Sequence, residues 1–289
     1  MFTRNTKKNK FMQELYRDTC LECSKIITQR YSTSFSLGIR AFEKKYRSPI
    51  YAIYGFVRYA DEIVDTFHEY NKQELFDNFK RDTYLAIAQG ISLNPVLHSF
   101  QYTVNKFGIP MDLIDAFLKS MEMDIDKNTY ETDSYKEYIY GSAEVIGLMC
   151  LMIFCEGDKK QYGELTPMAR SLGAAFQKIN FLRDIKSDYM ERGRIYFPNV
   201  EFSNFCEQDK RAIEEDIQKD FDHGLEGIKR LPSGARLGVY IAYRYYIDLF
   251  RKIKNTPAKE VASKRIRVAD SRKALLFIEA IFKNRFIAA

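Results

Sequence analysis

A chain of 289 residues can bury one large core or two smaller ones, and a hydrophobic share of 46% is ordinary for a globular protein. Seven prolines and fourteen glycines leave long stretches without a breaker, which disfavours a turn-rich β fold. A net charge of +6 is a mild excess that suits phosphate-bearing ligands or anionic surfaces. The basic residues are dispersed outside the N-terminus and "SKRIRVADSRK", so nucleic acid is not the expected partner.

Apolar periodicity near 3.6 predicts helices over 11–30, 48–68, 72–89, 93–107, 111–126, 133–155, 161–191, 208–230, 235–254 and 259–287, with no convincing strand alternation. The breaks fall at "SP", "NP", "GIP", "EGD", "LPSG" and "NTP". The expectation is an all-α fold forming a single domain over 1–289, since no long linker divides the helices.

In the first predicted helix, Cys20 and Cys23 make a lone CxxC. No second pair accompanies it, and His68, His98 and His223 are scattered, so packing is expected rather than metal binding. The start "MFTRNTKKNKFMQELY" has no apolar signal region, and five cysteines is an odd number, so reduced thiols in a cytoplasm are expected.

The helix over 48–68 carries an anomaly. Ile50, Ile53, Tyr54 and Val57 form an apolar stripe, and Asp61 and Asp65 fall on its continuation. Like charges four apart on a helix repel, and burial of an unpaired carboxylate is costly, so a positive partner is expected between them. Further along, "VIGLMCLMIFC" (145–155) is bounded by Glu144 and Glu156 and falls short of the about 20 residues of a membrane span. A buried helix is expected there.

The helix over 161–191 repeats the anomaly. Gln177, Asn180, Asp184 and Asp188 follow near-helical spacing, while Phe176, Ile179 and Phe181 place the helix in the core. One DxxxD is usually a solvated face or an ion pair. Two such pairs, each preceded by an arginine, suit magnesium, a hard cation held by few carboxylates plus waters and substrate phosphates. Arg58 and Arg183 could take the remaining oxygens of a diphosphate, and Arg194 could join them. Apolar helices around the acids would supply a tunnel for a hydrocarbon tail.

The residues that carry these features resemble the squalene and phytoene synthases, the head-to-head prenyl transferases. "YAIYGFVRYADEIVD" resembles their first aspartate-rich motif and "QKINFLRDIKSDYMERGRIYFP" the second. Likeness continues in "YSTSFSLGIRAF", in "YIYGSAEVIG", and more faintly in "YRYYIDLFRKI" and "KRIRVADSRK". It departs at Tyr31 and Thr33, where relatives often carry His or Lys.

The resemblance implies an isoprenoid-synthase helical fold around a central cavity. It implies metal binding by Asp61, Asp65, Asn180, Asp184 and Asp188, with Mg2+ as the ion and Mn2+ as a substitute. Ser32, Ser34, Arg58, Arg183, Arg194 and Arg265 match diphosphate-binding positions. Tyr138 and Tyr246 match tyrosines that face the reacting carbons or the phosphates and, with Arg58 and Arg183, form the expected catalytic set.

The implied reaction joins two geranylgeranyl diphosphates 1′-1 to phytoene through a cyclopropylcarbinyl diphosphate. Farnesyl diphosphate, giving dehydrosqualene or squalene, is the alternative. NADPH is not expected, because no GxGxxG fingerprint is found. The expected partners are prenyl diphosphate substrates, with peripheral contact at the inner membrane face compatible with product release. A synthase-like scaffold without activity, or a membrane-binding protein, is the alternative of another class, and the intact aspartates weigh against it. Tail length is expected to be limited beyond Tyr138, at Val145, Ile146 and Leu148.

Overall fold

The computed structural model describes residues 2–126, 132–194, 196–198, 200, 202–269, 272, 275, 276, 279 and 280. The regular elements among the described residues are helices, as composition and periodicity predict. The chain groups into two compact units, Met1–Pro110 and Met111–Ala289.

The first unit contains α1 (Phe2–Tyr31), α2 (Thr33–Arg40), α3 (Lys44–Asp65), α4 (Lys72–Gln89) and α5 (Pro95–Phe107). α1 begins nine residues before the expected start at 11, and α2 was not anticipated. It forms because Ser32 accepts the Phe35 N–H, satisfying an orphan donor of the first turn. Asn71 caps α4 and Asn94 caps α5 in the same way, while Gly90 and Gly108 end these helices at positive φ.

The core of this unit is aromatic. Phe56 of α3 stacks on Phe100 of α5 at 3.8 Å and on Phe79 of α4 at 5.4 Å. α1 approaches α3 closely at Gly55, where a Cβ would stand 2.9 Å from Ser24 Oγ. The Ser24 and Ser99 hydroxyls, 2.6 Å apart, satisfy each other inside the same packing.

The second unit contains α6 (Met111–Asp126), α7 (Thr132–Ile139), a π-helical turn (Tyr140–Glu144), α8 (Val145–Cys155), α9 (Lys159–Arg192), α10 (Glu207–Arg230), α11 (Ser233–Lys254) and α12 (Ala258–Val261). From Thr132 to Cys155 the helix runs 24 residues, long and apolar enough by composition to cross a membrane. Yet 61% of its most apolar window is buried within the protein, with Val145, Leu148, Met149, Leu151, Ile153 and Phe154 in the core. A buried helix was expected here, and a core helix is what these residues form.

The helix expected over 259–287 is interrupted, and the described residues 272, 275, 276, 279 and 280 beyond the break are helical as expected. α12 ends at Val261, and residues 265–269 are not helical. Ile266 and Val268 are buried while Arg265 and Arg267 are exposed, a period of two that an extended chain can bury and a helix cannot. Residues 281–287 lie outside the described residues.

Candidate active site

In the first unit α3 presents Arg58, Asp61, Glu62 and Asp65 on successive turns, all partly buried. Arg58 pairs with Glu62 one turn on, and its guanidinium lies 4.4 Å from the Tyr31 ring centroid. Its Nε is buried without a hydrogen-bond partner among the described residues. Burial pushes the Tyr54 phenol up, while Arg58 and a hydrogen bond with Ser32 pull the other way. Ser32, Tyr31, Tyr54 and Arg58 are thus brought together with Asp61, as the resemblance implies for Ser32 and Arg58. Ser34 is partly buried on α2. Glu62, the partner Arg58 uses, was not singled out by its sequence position.

In the second unit α9 carries Asn180, Arg183, Asp184 and Asp188. The Asp184 carboxylate is held by two arginines. Arg183 Nε donates to Oδ1 at 3.0 Å and its Nη2 to Oδ2 at 2.6 Å, while Arg265 Nε lies 2.8 Å from Oδ1. Burial works against the Arg183 charge, but the Asp184 hydrogen bonds outweigh it and raise its pKa further. Tyr246 donates to Asn180 Oδ1 at 3.2 Å and stacks on Phe176 at 4.1 Å. These contacts bring together five residues that the sequence singled out.

A second group forms where α9 ends. Gly193, at φ 65, turns the chain so that the Arg194 N–H reaches the Asp188 carbonyl at 2.9 Å. Asp188 is 5% exposed and shares the wall of a small pocket with Arg194, Tyr196 and Phe181. Arg194 Nη2 donates to the Asp124 carbonyl at 2.7 Å, and Nη1 lies 3.6 Å from the Asp124 carboxylate. The Tyr138 hydroxyl donates to Asp124 Oδ2 at 2.7 Å. Asp124, which joins Tyr138 to Arg194, was not singled out by its sequence position. Its only local signal is an acid beside Met123 and Ile125 in "MEMDID", and its partners stand 14 and 70 residues away.

The donors on α3 and α9 are carboxylate and amide oxygens, the chemistry magnesium takes and zinc does not favour. No group of three or more His, Cys, Asp or Glu side chains poised for a metal occurs among the described residues.

The squalene/phytoene synthase family profile matches residues 28–272, most of the chain and parts of both units. The chain belongs to the squalene/phytoene synthase family. The phytoene synthase of Arthrospira platensis is 30% identical over 264 residues, covering 82% of this chain and 85% of its own. A 4,4′-diapophytoene synthase of Staphylococcus haemolyticus is 26% identical over 202 residues, 67% of this chain and 66% of that one. Among solved structures, a dehydrosqualene synthase bound to a ligand superposes with TM-score 0.79 at 21% identity, covering 93% of this chain and 98% of that one. A squalene synthase from Alicyclobacillus acidocaldarius gives TM-score 0.73 at 19% identity over 83% and 95% of the two chains. These structures establish the isoprenoid-synthase helical fold. The family is one of prenyl transferases that act on prenyl diphosphates.

Proposed function

We propose that this protein condenses two geranylgeranyl diphosphates head to head to form phytoene, releasing diphosphate. The observation that carries the reading is the presence of two acid pairs, Asp61 with Asp65 and Asp184 with Asp188, on partly buried helices beside arginines. The 30% identity to a phytoene synthase supports the choice of substrate.

Asp61, Asp65, Asn180, Asp184 and Asp188 would hold magnesium, which when bound neutralises charge developing on the departing diphosphate. Arg58 in the first unit, and Arg183 and Arg265 in the second, would add fixed positive charge for diphosphate oxygens, and Ser32 and Ser34 would add hydrogen-bond donors. As diphosphate enters, the two arginines on Asp184 would transfer part of their pairing to phosphate, freeing carboxylate oxygens. The buried aromatic side chains around Tyr138 exclude water, which would otherwise trap an allylic cation as an alcohol. No nicotinamide is needed for this product. Peripheral contact with a membrane surface would let the hydrocarbon leave without crossing water.

A second reading, dehydrosqualene from farnesyl diphosphate, is favoured by the likeness to the diapophytoene and dehydrosqualene synthases. Purified protein incubated with magnesium and each diphosphate separately, followed by mass analysis of the hydrocarbon, distinguishes them. A forty-carbon product supports the first reading and a thirty-carbon product the second. No hydrocarbon from either would leave a scaffold without activity.

A further inference from the structure

The basic stretch at the N-terminus has no part in the proposed reaction. Residues 2–13 carry Arg4, Lys7, Lys8 and Lys10, with no acid before Glu14. They open α1, and from Asn9 to Leu15 every residue of that helix is exposed, including Phe11 at 63%, Met12 and Leu15. Packing begins one residue later, where the Tyr16 ring lies 4.7 Å from that of His98.

Beside Tyr16 stands the loop between α4 and α5, which carries two more exposed apolar side chains, Ile91 and, at 90%, Leu93. The loop is fixed through its backbone. The Tyr16 hydroxyl donates to the Ser92 carbonyl at 2.7 Å, the Ser92 N–H donates to His98 Nδ1 at 3.3 Å, and Gln101 Nε2 donates to the Gly90 carbonyl at 3.0 Å. These backbone groups are satisfied by the protein, while the Ile91 and Leu93 side chains are left to solvent.

A single exposed leucine means little. Five large apolar side chains on two segments joined by a hydrogen bond, next to a run of four cations, form a surface with a chemical preference. Its apolar part leaves water only against another apolar phase, and its charge selects an anionic one. A bilayer with anionic headgroups offers both, acyl chains for the apolar side chains and phosphates for the cations. Loop backbone that is already hydrogen-bonded approaches the acyl boundary without leaving those groups unsatisfied. A second copy of this chain would instead bring the same cations to the contact, and they would repel.

We propose that the N-terminal part of α1 and the α4–α5 loop dock the protein on an anionic lipid bilayer. The choice of partner deepens the prenyl-transfer reading above and rests on it, since substrate and product of that reaction both carry long hydrocarbon tails. The surface uses none of the residues of the candidate active site.

The test is cosedimentation of the full-length protein with vesicles of phosphatidylcholine, alone or mixed with phosphatidylglycerol. Binding should be about 10-fold tighter or more to the mixed vesicles and should weaken as salt is raised, since each cation near an anionic surface adds a screened attraction. Phe11→Ser with Leu93→Ser should lower binding to the mixed vesicles by about 10-fold or more, the scale for leaving large apolar side chains in water. Lys7→Gln, Lys8→Gln and Lys10→Gln together should abolish the preference for phosphatidylglycerol. Both variants should keep wild-type circular dichroism and wild-type hydrocarbon formation in detergent, because the altered residues lie outside the candidate site. Equal binding to the two kinds of vesicle, or variants that bind as wild type does, overturns the proposal. So does a dimer in solution that Phe11→Ser with Leu93→Ser dissociates while vesicle binding is unaltered, which would assign the surface to a second copy. Vesicle binding is measured without substrate, so a protein that makes no hydrocarbon yet docks only to anionic vesicles loses its proposed function and keeps this surface.

Discussion

Asp184 is held by Arg183 and Arg265, and the isosteric change to asparagine keeps its volume while removing the charge that both arginines and a metal require. Asp184→Asn, and likewise Asp61→Asn, should lower hydrocarbon formation by about 10²–10³ or more, the range for loss of one charge-stabilising group, with circular dichroism unchanged. Near-wild-type turnover in both variants would remove the metal-site reading. A second residue gives a pH prediction. His98 is buried against Tyr16 and accepts the Ser92 N–H at Nδ1, and burial with nearby Arg17 holds its pKa below the ordinary value. A depressed histidine contributes stability that is present above its unfolded pKa and lost as pH falls through the folded one. The thermal midpoint should drop between pH 7 and 5, and drop less in His98→Gln. Equal slopes in the two proteins would acquit His98.

At the level of elements, the π-helical turn packs on α6 through Gly141. A Cβ there would meet the Ala116 carbonyl at 2.4 Å and Ser120 Cβ at 2.6 Å, both too close for backbone-bound atoms to yield easily. Gly141→Ala should therefore destabilise by about 1–3 kcal/mol, as overpacking does. Denaturant titration measures it, and an unchanged midpoint at constant slope would contradict the packing. α8 next door gives a chemical readout. Burial pushes the Cys150 thiol up to about 12 and Cys155 up to about 11, whereas Cys206 is exposed. Thiolate is the reactive form, so iodoacetamide at pH 8 should alkylate Cys206 well before either α8 thiol. Because these folded values are raised, their contribution to stability persists below the unfolded value and fades as pH climbs through 11 to 12. Simultaneous labelling of all three would show that α8 opens readily.

For the whole molecule, the proposed reading requires that chelation stop product formation and magnesium restore it; undiminished activity in excess chelator would refute this. Tail length belongs to the same scale. Val145 and Leu148 are buried and Ile146 is partly exposed, so Ile146 is the position of the three chosen for the test. Ile146→Phe should shift competition between the two diphosphates towards farnesyl; an unaltered ratio in a folded, active variant would assign length control elsewhere. The helical class, most helix boundaries and the acid pairs were legible because they rest on spacing within single segments. Asp124 was not, because its role comes from Tyr138 and Arg194, and no local pattern encodes a meeting of distant side chains. Nor was the end of α12, where Ile266 and Val268 bury on alternate residues while helix-forming neighbours suggested continuation. The Arg58–Glu62 pair stands at plain helical spacing, a signal that the sequence does carry.

The π-helical turn at Tyr140–Glu144 sits between Tyr138 and the tail-facing candidates of α8. A π-helical turn holds one residue more than an α-helical one, so deleting a single residue between 140 and 144 should let the chain run on as continuous α-helix with the facing of Tyr138 and Ile146 nearly kept, whereas adding one would swing α8 by about 100°.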